Sequence, residues 1–439
     1  MKDRGLFDTL VKSFRQRLSS LPDNRTGKNT RYGMEDAALS AFSVFFTQTP
    51  SFLAYQRKMA DSKGKSNAQS LFGVPQIPSD NQIRNMLDGV DPEQVFPVFE
   101  EILQILDEQG QLEGVRSVSD TLLVAMDGTE YFSSTQLCCP QCSTRTLRSG
   151  DTHYFHSVVT PVIVCPGQSQ VIPLVPEFVR PQDGHDKQDC VNAAAKRWLT
   201  QHGERFSRLK VTVLGDDLYC HQPLCQQLVD HQLNFILVCR PDSHPTLYNP
   251  LEGIDLPTVM VKRWAGTVEE TWTYRYLNAV PLRDGEDALR VNWYELTVSR
   301  PDGRLTYHNA CVTRHLITDD TVVEIIQAGR TRWKVENENN NTLKTKGYNL
   351  EHNVGHGQQH LASLLATLNI LSFLFHTVLD LLDQKYRVLR AHLPTRKTFF
   401  EDLRALTRYM YFDSWDHLLT FMLQGLELEI PPIAVAFSK

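Results

Sequence analysis

Three acidic residues stand where a fold could bring them together. Asp127 directly follows the apolar run Thr121-Leu122-Leu123-Val124-Ala125-Met126. Asp216 follows Leu209-Lys210-Val211-Thr212-Val213-Leu214 through Gly215, with Asp217 beside it. Such runs predict strands buried on both faces. Glu336 lies in a later polar segment, Arg332-Trp333-Lys334-Val335-Glu336, within a helical pattern from about Thr321 to Lys344. Two carboxylates leaving strands at one sheet edge, with a third supplied by a helix, offer the oxygen ligands that Mg²⁺ or Mn²⁺ prefers. Two such ions about 4 Å apart activate a water or a hydroxyl and stabilise a leaving oxygen, the needs of phosphodiester cleavage and transfer. In that arrangement Asp127 bridges both ions, Asp216 binds one and Glu336 the other. Taken singly, an Asp after a strand suits a turn and a Glu on a polar helix suits a solvated face; the joint pattern carries the chemistry.

The elements that must position these residues follow from periodicity and punctuation. Residues 1–118 read as a helical N-terminal region, with segments near Met34 to Phe46, Asp80 to Leu87 and Pro92 to Leu106 and a break from Asp61 to Ser70. Ser79-Asp80 followed by Gln82 and Arg84 is a capped helix start carrying a basic residue. Residues 119–255 read as the first part of an α/β core, with strands also at Tyr154 to Val164, Gln170 to Val175 and Leu233 to Val238, and a helix from Asp186 to Gln201. Residues 256–315 are rich in Val, Thr, Tyr and Trp, with turns at Arg283-Asp284-Gly285 and Pro301-Asp302-Gly303, which predicts a β-rich insertion. Residues 316–357 carry the Glu336 helix and end the core. Residues 358–439 read as a C-terminal helical region, with helices from Gln358 to Gln384, Phe399 to Leu406 and Trp415 to Leu423.

The 439 residues exceed one compact core, and with 41% hydrophobic and 22% charged residues the chain has material to fold. The net charge of −6 argues against broad affinity for a phosphate backbone. Residues 1–70, however, hold 12 Lys plus Arg against 6 Asp plus Glu, so basic character gathers at the N-terminus, a candidate DNA-binding region. Nine cysteines and the polar start MKDRGLFDTL point to a reducing, cytoplasmic setting. Ala362 to Leu379 has membrane length but contains Asn369 and His376, so a buried core helix is expected and no membrane.

The segment around Glu336 resembles the Arg-x-x-x-Glu signature, with a downstream Lys, of bacterial cut-and-paste insertion-sequence transposases of the DDE type that carry a β insertion before the catalytic Glu. Met126-Asp127-Gly128-Thr129 and Leu214-Gly215-Asp216-Asp217-Leu218-Tyr219 resemble the two Asp motifs of the same families, and the likeness covers roughly residues 120–375. Position 329 is Gly where the families have Tyr, and the seven residues between Glu336 and Lys344 are one more than the family spacing. The resemblance implies an RNase H-like catalytic core, a catalytic and metal-binding triad of Asp127, Asp216 and Glu336, and two Mg²⁺ or Mn²⁺ ions. Asp216 is preferred over Asp217 because the Asp-x-Leu-Tyr form then fits. It further implies that Arg332 and Lys344 grip DNA phosphates, with Arg330, Lys334 and Lys346 adding to that surface. The partners implied are double-stranded DNA, as transposon ends and target, and a second copy of the chain in synapsis, in a nucleoid-associated setting. The activity implied is cleavage at transposon ends and transfer of the 3′-hydroxyl into target DNA. The competing expectations are a nuclease without strand transfer, a transposase-derived DNA-binding protein without catalysis and, for Arg332, an ordinary ion pair with Glu336.

Cys138, Cys139 and Cys142 form a C-x-x-C knuckle, with His153 and His156 downstream. A structural Zn²⁺ at Cys139 and Cys142 is one reading. Unpaired reduced thiols are preferred, because two His three apart on a strand point to opposite faces. Lys187-Gln188-Asp189-Cys190 leads a helix with Lys196 and Arg197 that is expected to cap and cover the sheet. Glu351-His352-Asn353-Val354-Gly355-His356-Gly357 reads as a hydrogen-bonded turn, with phosphate or water contact by His352 or His356 as the alternative.

Overall fold

The computed structural model describes residues 5–26, 30–59, 65–181, 190–251 and 253–430. Lys187, Gln188 and Asp189 lie outside the described residues, as does part of the predicted Asp61 to Ser70 break. The chain is a mixed α/β protein with helical N- and C-terminal regions.

The strands among the described residues are, in chain order, β1 (Leu122–Ala125), β2 (Gly128–Ser134), β3 (Ser143–Thr146), β4 (Thr152–Val159), β5 (Val162–Val164), β6 (Ile172–Pro173) and β7 (Glu177–Phe178). They continue with β8 (Val211–Gly215), β9 (Asn234–Val238), β10 (Thr258–Ala265), β11 (Val268–Pro281), β12 (Arg290–Ser299) and β13 (Leu305–Thr313). The predicted strand from Tyr154 to Val164 is in fact β4 and β5, divided at Thr160-Pro161, where proline removes a ladder donor.

By contact the chain divides into two compact units, one of residues 1–111, 130–156 and 341–439 and the other of residues 112–129 and 157–340. This differs from the division read from the sequence, which separated the N- and C-terminal helices. Helix Leu361–Leu382 explains the difference within the first unit. It is long and apolar enough to cross a membrane, yet 89% of its most apolar window is buried inside the fold. A helix apolar on all sides needs cover on all sides. Helices Leu6–Leu18, Met34–Phe46 and Phe96–Glu108 help supply it. Phe375 packs against Phe7, Phe14 and Phe42, and His376 stacks on Phe46 at 4.0 Å. His376 Nε2 lies 2.9 Å from the Phe46 carbonyl and Nδ1 2.9 Å from the Tyr386 hydroxyl, so this polar side chain is satisfied in the core. Strands β2, β4 and β3 lie side by side in that order.

The second unit is built on one mixed sheet of nine strands, ordered β10-β11-β12-β13-β9-β8-β1-β5-β6. Strand β1 runs parallel to β8 and β8 parallel to β9, whereas β5 and β6 continue antiparallel on the other side of β1. Every residue of β1 and β8 is buried, as their unbroken apolar runs predicted. The region predicted as a β insertion forms β10 to β13, a meander that joins the same sheet through β13 and β9. Helix Val191–Arg208 packs against β7, with buried Trp198 donating to the Val175 carbonyl at 2.9 Å. Arg197 on that helix donates to Glu177 and to the Phe178 carbonyl, both on β7.

Candidate functional site

Strands β1 and β8 are in register at Ala125 and Leu214. Asp127 and Asp216 each lie two residues further on, so both acids leave the sheet at the same edge from neighbouring parallel strands. Strands so paired run about 4.8 Å apart. Close packing keeps this edge tight: a Cβ on Gly128 would fall 2.5 Å from a Val191 methyl.

Glu336 lies on the helical segment that follows the meander. That segment is not the uniform helix predicted from Thr321 to Lys344. It winds as an α-helix over Val322–Arg330, tightens to a 3₁₀ turn over Thr331–Trp333, widens to a π-helix over Val335–Asn340 and returns to α over Asn341–Thr345. Wide π turns inside helices are frequent at functional sites. A hydrogen-bond chain ties the π turn to the first acid. Asn340 Nδ2 lies 3.3 Å from Asp127 Oδ2, Thr160 Oγ1 donates to Asn340 Oδ1 at 2.7 Å, and the Thr160 amide donates to the Asp127 carbonyl at 2.9 Å.

The acids also meet electrostatically. Burial, then the charges of Glu336 and Asp216, push the Asp127 carboxyl up to about 6. Asp216 is raised in the same direction by burial, with smaller upward contributions from Asp217 and Glu336. Arg332 pairs with Glu336 at 2.6 Å, so the i to i+4 ion pair exists, and its charge lowers both Asp127 and Asp216. Buried Tyr219 has a hydroxyl without a hydrogen-bond partner among the described residues, and its own ionisation is opposed by burial and then by Asp127 and Asp216.

Asp217 has a separate task. Its carboxylate accepts from the Arg240 amide at 2.7 Å and from Ser243 Oγ at 2.8 and 2.6 Å, holding the chain after β9. Asp216 Oδ1 accepts from the Leu218 amide at 3.0 Å, which starts a 3₁₀ turn and leaves the residue at the sheet edge.

The expected basic residues are placed unevenly. Lys334 is 6% exposed and its ammonium donates to the carbonyls of Cys165 and Gln168, so it fastens a loop and is removed from the expected phosphate-facing set. Arg330 lies over Trp272 at 4.6 Å and Tyr307 at 4.7 Å, and lines an open cleft of about 450 Å³ with Trp272, Arg263, Gln327 and Trp333. Lys344, in the first unit, pairs with Glu351 at 2.7 Å. Arg84, the basic residue of the capped helix Asp80–Leu87, donates to the Val354 carbonyl at 2.9 Å and is thus used inside its own unit. Position 329 is Gly because a Cβ there would fall 2.3 Å from the Tyr294 hydroxyl and 2.8 Å from an Ile236 methyl, which leaves no room for the larger residue the resemblance implied.

Two Cys and His groups among the described residues have ligand atoms that all lie within 4.8 Å of one another: Cys139, Cys142, His156 and His356 in the first unit, and Cys220, Cys239 and His244 in the second. The oxygens of Asp127, Asp216 and Glu336 do not form a group at that spacing. The first of these groups gathers Cys139 and Cys142 with two histidines, the further ligands that the zinc reading needed. His153 is left out, as its strand position required, and the fourth member comes from the segment 351–357 that had been read as a turn. The cysteines form no disulfide among the described residues. No protein-family model matches the chain, and no curated protein matches it in sequence.

Proposed function

We propose that this protein is a DNA transposase of the DDE type, cleaving at transposon ends and transferring the freed 3′-hydroxyl into target DNA. The observation that carries the reading is the register of β1 and β8, which sets Asp127 and Asp216 side by side beyond adjacent parallel strands, with Glu336 charge-coupled to both. The strand order β6-β5-β1-β8-β9, three antiparallel strands followed by parallel ones, is a mixed sheet of the kind expected for an RNase H-like core and supports that finer description. Within the same sheet, β10 to β13 stand where the resemblance calls for an insertion between the second acid and the Glu.

The donor types at this edge suit divalent ions. Its donors are carboxylate oxygens, suited to a hard ion that keeps several waters. Burial, and then repulsion from Glu336 and Asp216, raises Asp127, the state of a buried carboxylate short of positive charge. The unpartnered Tyr219 hydroxyl adds a polar group at the same edge. Asp127, Asp216 and Glu336 would hold Mg²⁺ or Mn²⁺, and bound ions would lower the cost of deprotonating a water or 3′-hydroxyl and offset charge on the leaving oxygen. Asp217, engaged by Arg240 and Ser243, is not needed as a ligand.

The chain's own groups supply the rest. Arg332, paired with Glu336 here, would be free to meet a DNA phosphate with its planar donor fork were that carboxylate to hold a metal. The π turn adds a residue to the segment between Glu336 and Lys344, which matches the one-residue excess over the family spacing. Arg263, Arg330, Trp272 and Trp333 along the cleft offer the mixture of guanidinium and aromatic faces that suits a nucleic-acid strand. Synapsis of two ends would take a second copy of the chain.

The test is cleavage of a supercoiled plasmid carrying the element's own ends, with Mg²⁺ or Mn²⁺, by wild type and by Asp127→Ala, Asp216→Ala and Glu336→Ala. Metal-dependent nicks at the ends followed by joining to a second DNA, lost in all three variants, is the expected outcome. Hydrolysis without joining would select a nuclease, and equal behaviour of wild type and variants would leave a DNA-binding protein.

A further inference from the structure

We propose that Cys139, Cys142, His156 and His356 form a tetrahedral site for one structural Zn²⁺. These residues come from three places in the first unit: the loop between β2 and β3, strand β4, and the segment before helix Leu361–Leu382.

The distances fit that ion. Tetrahedral Zn²⁺ with Zn–S of about 2.3 Å and Zn–N of about 2.05 Å sets S···S near ~3.8 Å, S···N near ~3.6 Å and N···N near ~3.3 Å. Cys139 and Cys142 have their Sγ atoms 3.8 Å apart. The Sγ to Nε2 separations are 3.6 Å for Cys139 to His156, 3.4 Å for Cys142 to His156 and 3.5 Å for Cys142 to His356. The two Nε2 atoms are 3.1 Å apart. Five edges of the tetrahedron therefore agree with the ideal figures to within about 0.2 Å. A cluster held only by hydrogen bonds among thiols and imidazoles has no reason to reproduce all three kinds of edge together.

The surroundings agree with the ligand set. His356 Nδ1 is 3.1 Å from the Gly357 carbonyl, which can only accept, so the proton sits on Nδ1 and the Nε2 lone pair faces the other ligands. Metal-bound histidines are oriented in this way by a carbonyl or carboxylate on the far nitrogen. Phe132 packs on His356 at 4.2 Å, and Tyr131 stacks with His156 at 5.5 Å, so the cluster is walled by aromatic rings. Two thiolates, two neutral imidazoles and one Zn²⁺ sum to zero charge, which suits a place where Cys142 is 6% and His156 4% exposed. Sulfur and imidazole donors select Zn²⁺ over the hard ions proposed for the acidic edge.

The segment carrying His356 is also held by its own unit. Arg84 donates to the Val354 carbonyl, and the Asp88 carboxylate accepts from the amides of Gln358, Gln359 and Leu361. The ion would fasten this segment to the turn at Cys139 to Cys142, where the Cys142 amide donates to the Cys139 carbonyl at 3.1 Å. Cys138 is exposed and outside the set.

The experiment is zinc content of the full-length protein by plasma mass spectrometry, with affinity from chelator competition. The variants are Cys142→Ser and His356→Asn, with Cys138→Ser and His153→Asn as controls. Wild type and both controls are expected to hold about one Zn²⁺ per chain, and both ligand variants to bind at least about tenfold more weakly. Co²⁺ exchanged into the wild type is expected to give the intense visible bands and sulfur charge-transfer absorption of a tetrahedral thiolate site, a readout that needs no variant to fold. Wild type that takes up no Zn²⁺ on reconstitution, ligand variants that bind as tightly as wild type, or a weak octahedral Co²⁺ spectrum would each overturn the proposal.

Discussion

Asp127→Asn is expected to make the metal-free protein more stable while removing its response to Mg²⁺. The carboxyl is pushed up to about 6 from 3.8, chiefly by burial and then by Glu336 and Asp216. An acid whose folded value lies above its unfolded one is neutral at no cost below about pH 3.8, and loses stability as pH rises through about 6. The full penalty, with each pH unit worth about 1.4 kcal/mol, is about 3 kcal/mol. Water reaching a partly exposed carboxylate reduces that figure, so about 1 to 3 kcal/mol remains. For a folding unit of some 200 residues this corresponds to a Tm rise of about 3–10 °C. Asparagine keeps the shape and an oxygen able to accept from Asn340, so the substitution isolates the charge.

The assay is thermal unfolding of wild type and Asp127→Asn near pH 7.5 and near pH 4, with chelator and with millimolar Mg²⁺. With chelator, the variant should be the more stable near pH 7.5 and should match wild type near pH 4. Added Mg²⁺ should raise the wild-type Tm and leave the variant unmoved, since ligand binding stabilises only a state that binds it. A variant less stable than wild type at both pH values, or a gain unchanged between them, would refute the repulsion derived from the site.

Asp217→Asn should cost about 2 kcal/mol in urea unfolding, because it weakens charged hydrogen bonds from Arg240 and Ser243, yet preserve the Mg²⁺-induced rise in Tm; loss of that rise would make Asp217 a ligand. Lys334→Met should lower stability by about 1–3 kcal/mol by leaving the Cys165 and Gln168 carbonyls without their donor. Its DNA affinity should keep the wild-type salt dependence, whereas Arg332→Ala should flatten the slope of log K against log salt by about one contact. His315 is pushed down to about 4 from 6.5 by burial and then by Arg314, so stability is full above about pH 6.5 and falls as pH drops towards 4. His315→Gln should therefore reduce the acid lability of the second unit by up to about 3 kcal/mol near pH 4, and an unchanged acid midpoint would count against a neutral buried imidazole.

What could be read from the sequence follows the range of the interactions involved. Strands β1 and β8 were legible because a parallel strand buried on both faces must be apolar without interruption, and the residue after such a run is then fixed at a sheet edge. The helix Asp80–Leu87 was legible from Ser79 and Gln82, whose reciprocal bonds at 3.2 and 3.4 Å form its start. The winding change from 3₁₀ to π around Glu336 left no periodic trace, since one inserted residue shifts a helical pattern less than side-chain variety blurs it. Lys334 misled because its neighbours in sequence are basic, whereas its destination is set by two carbonyls more than 160 residues earlier. The N- and C-terminal helices read as separate regions because they lie far apart in sequence, and helices Met34–Phe46 and Leu361–Leu382, buried on nearly all sides, carried the hint that others must enclose them.

The two ligand sets differ in the same way, and the difference bears on how the ions can be told apart. Asp127 and Asp216 gain their meaning from strands that pair in register, a local consequence of each run being apolar. The Cys and His set joins residues 14 and 214 positions apart from Cys142, so nothing in the spacing of Cys139 and Cys142 named His356. Sequence reasoning could still have marked it, because His356 sits in a glycine-bracketed polar segment for which a turn alone required no histidine. Chemically the sets do not compete. Carboxylates that keep their waters hold Mg²⁺ weakly and exchange it readily, whereas two thiolates and two imidazoles hold Zn²⁺ tightly enough to contribute folding free energy. Brief treatment with a mild chelator should therefore silence the acidic edge while Zn²⁺ stays bound, so that loss of activity and loss of fold occur at separate chelator strengths. If both were lost at one chelator strength, a single ion class would have to account for both sites, and the assignment of hard ions to oxygen and Zn²⁺ to sulfur would fail.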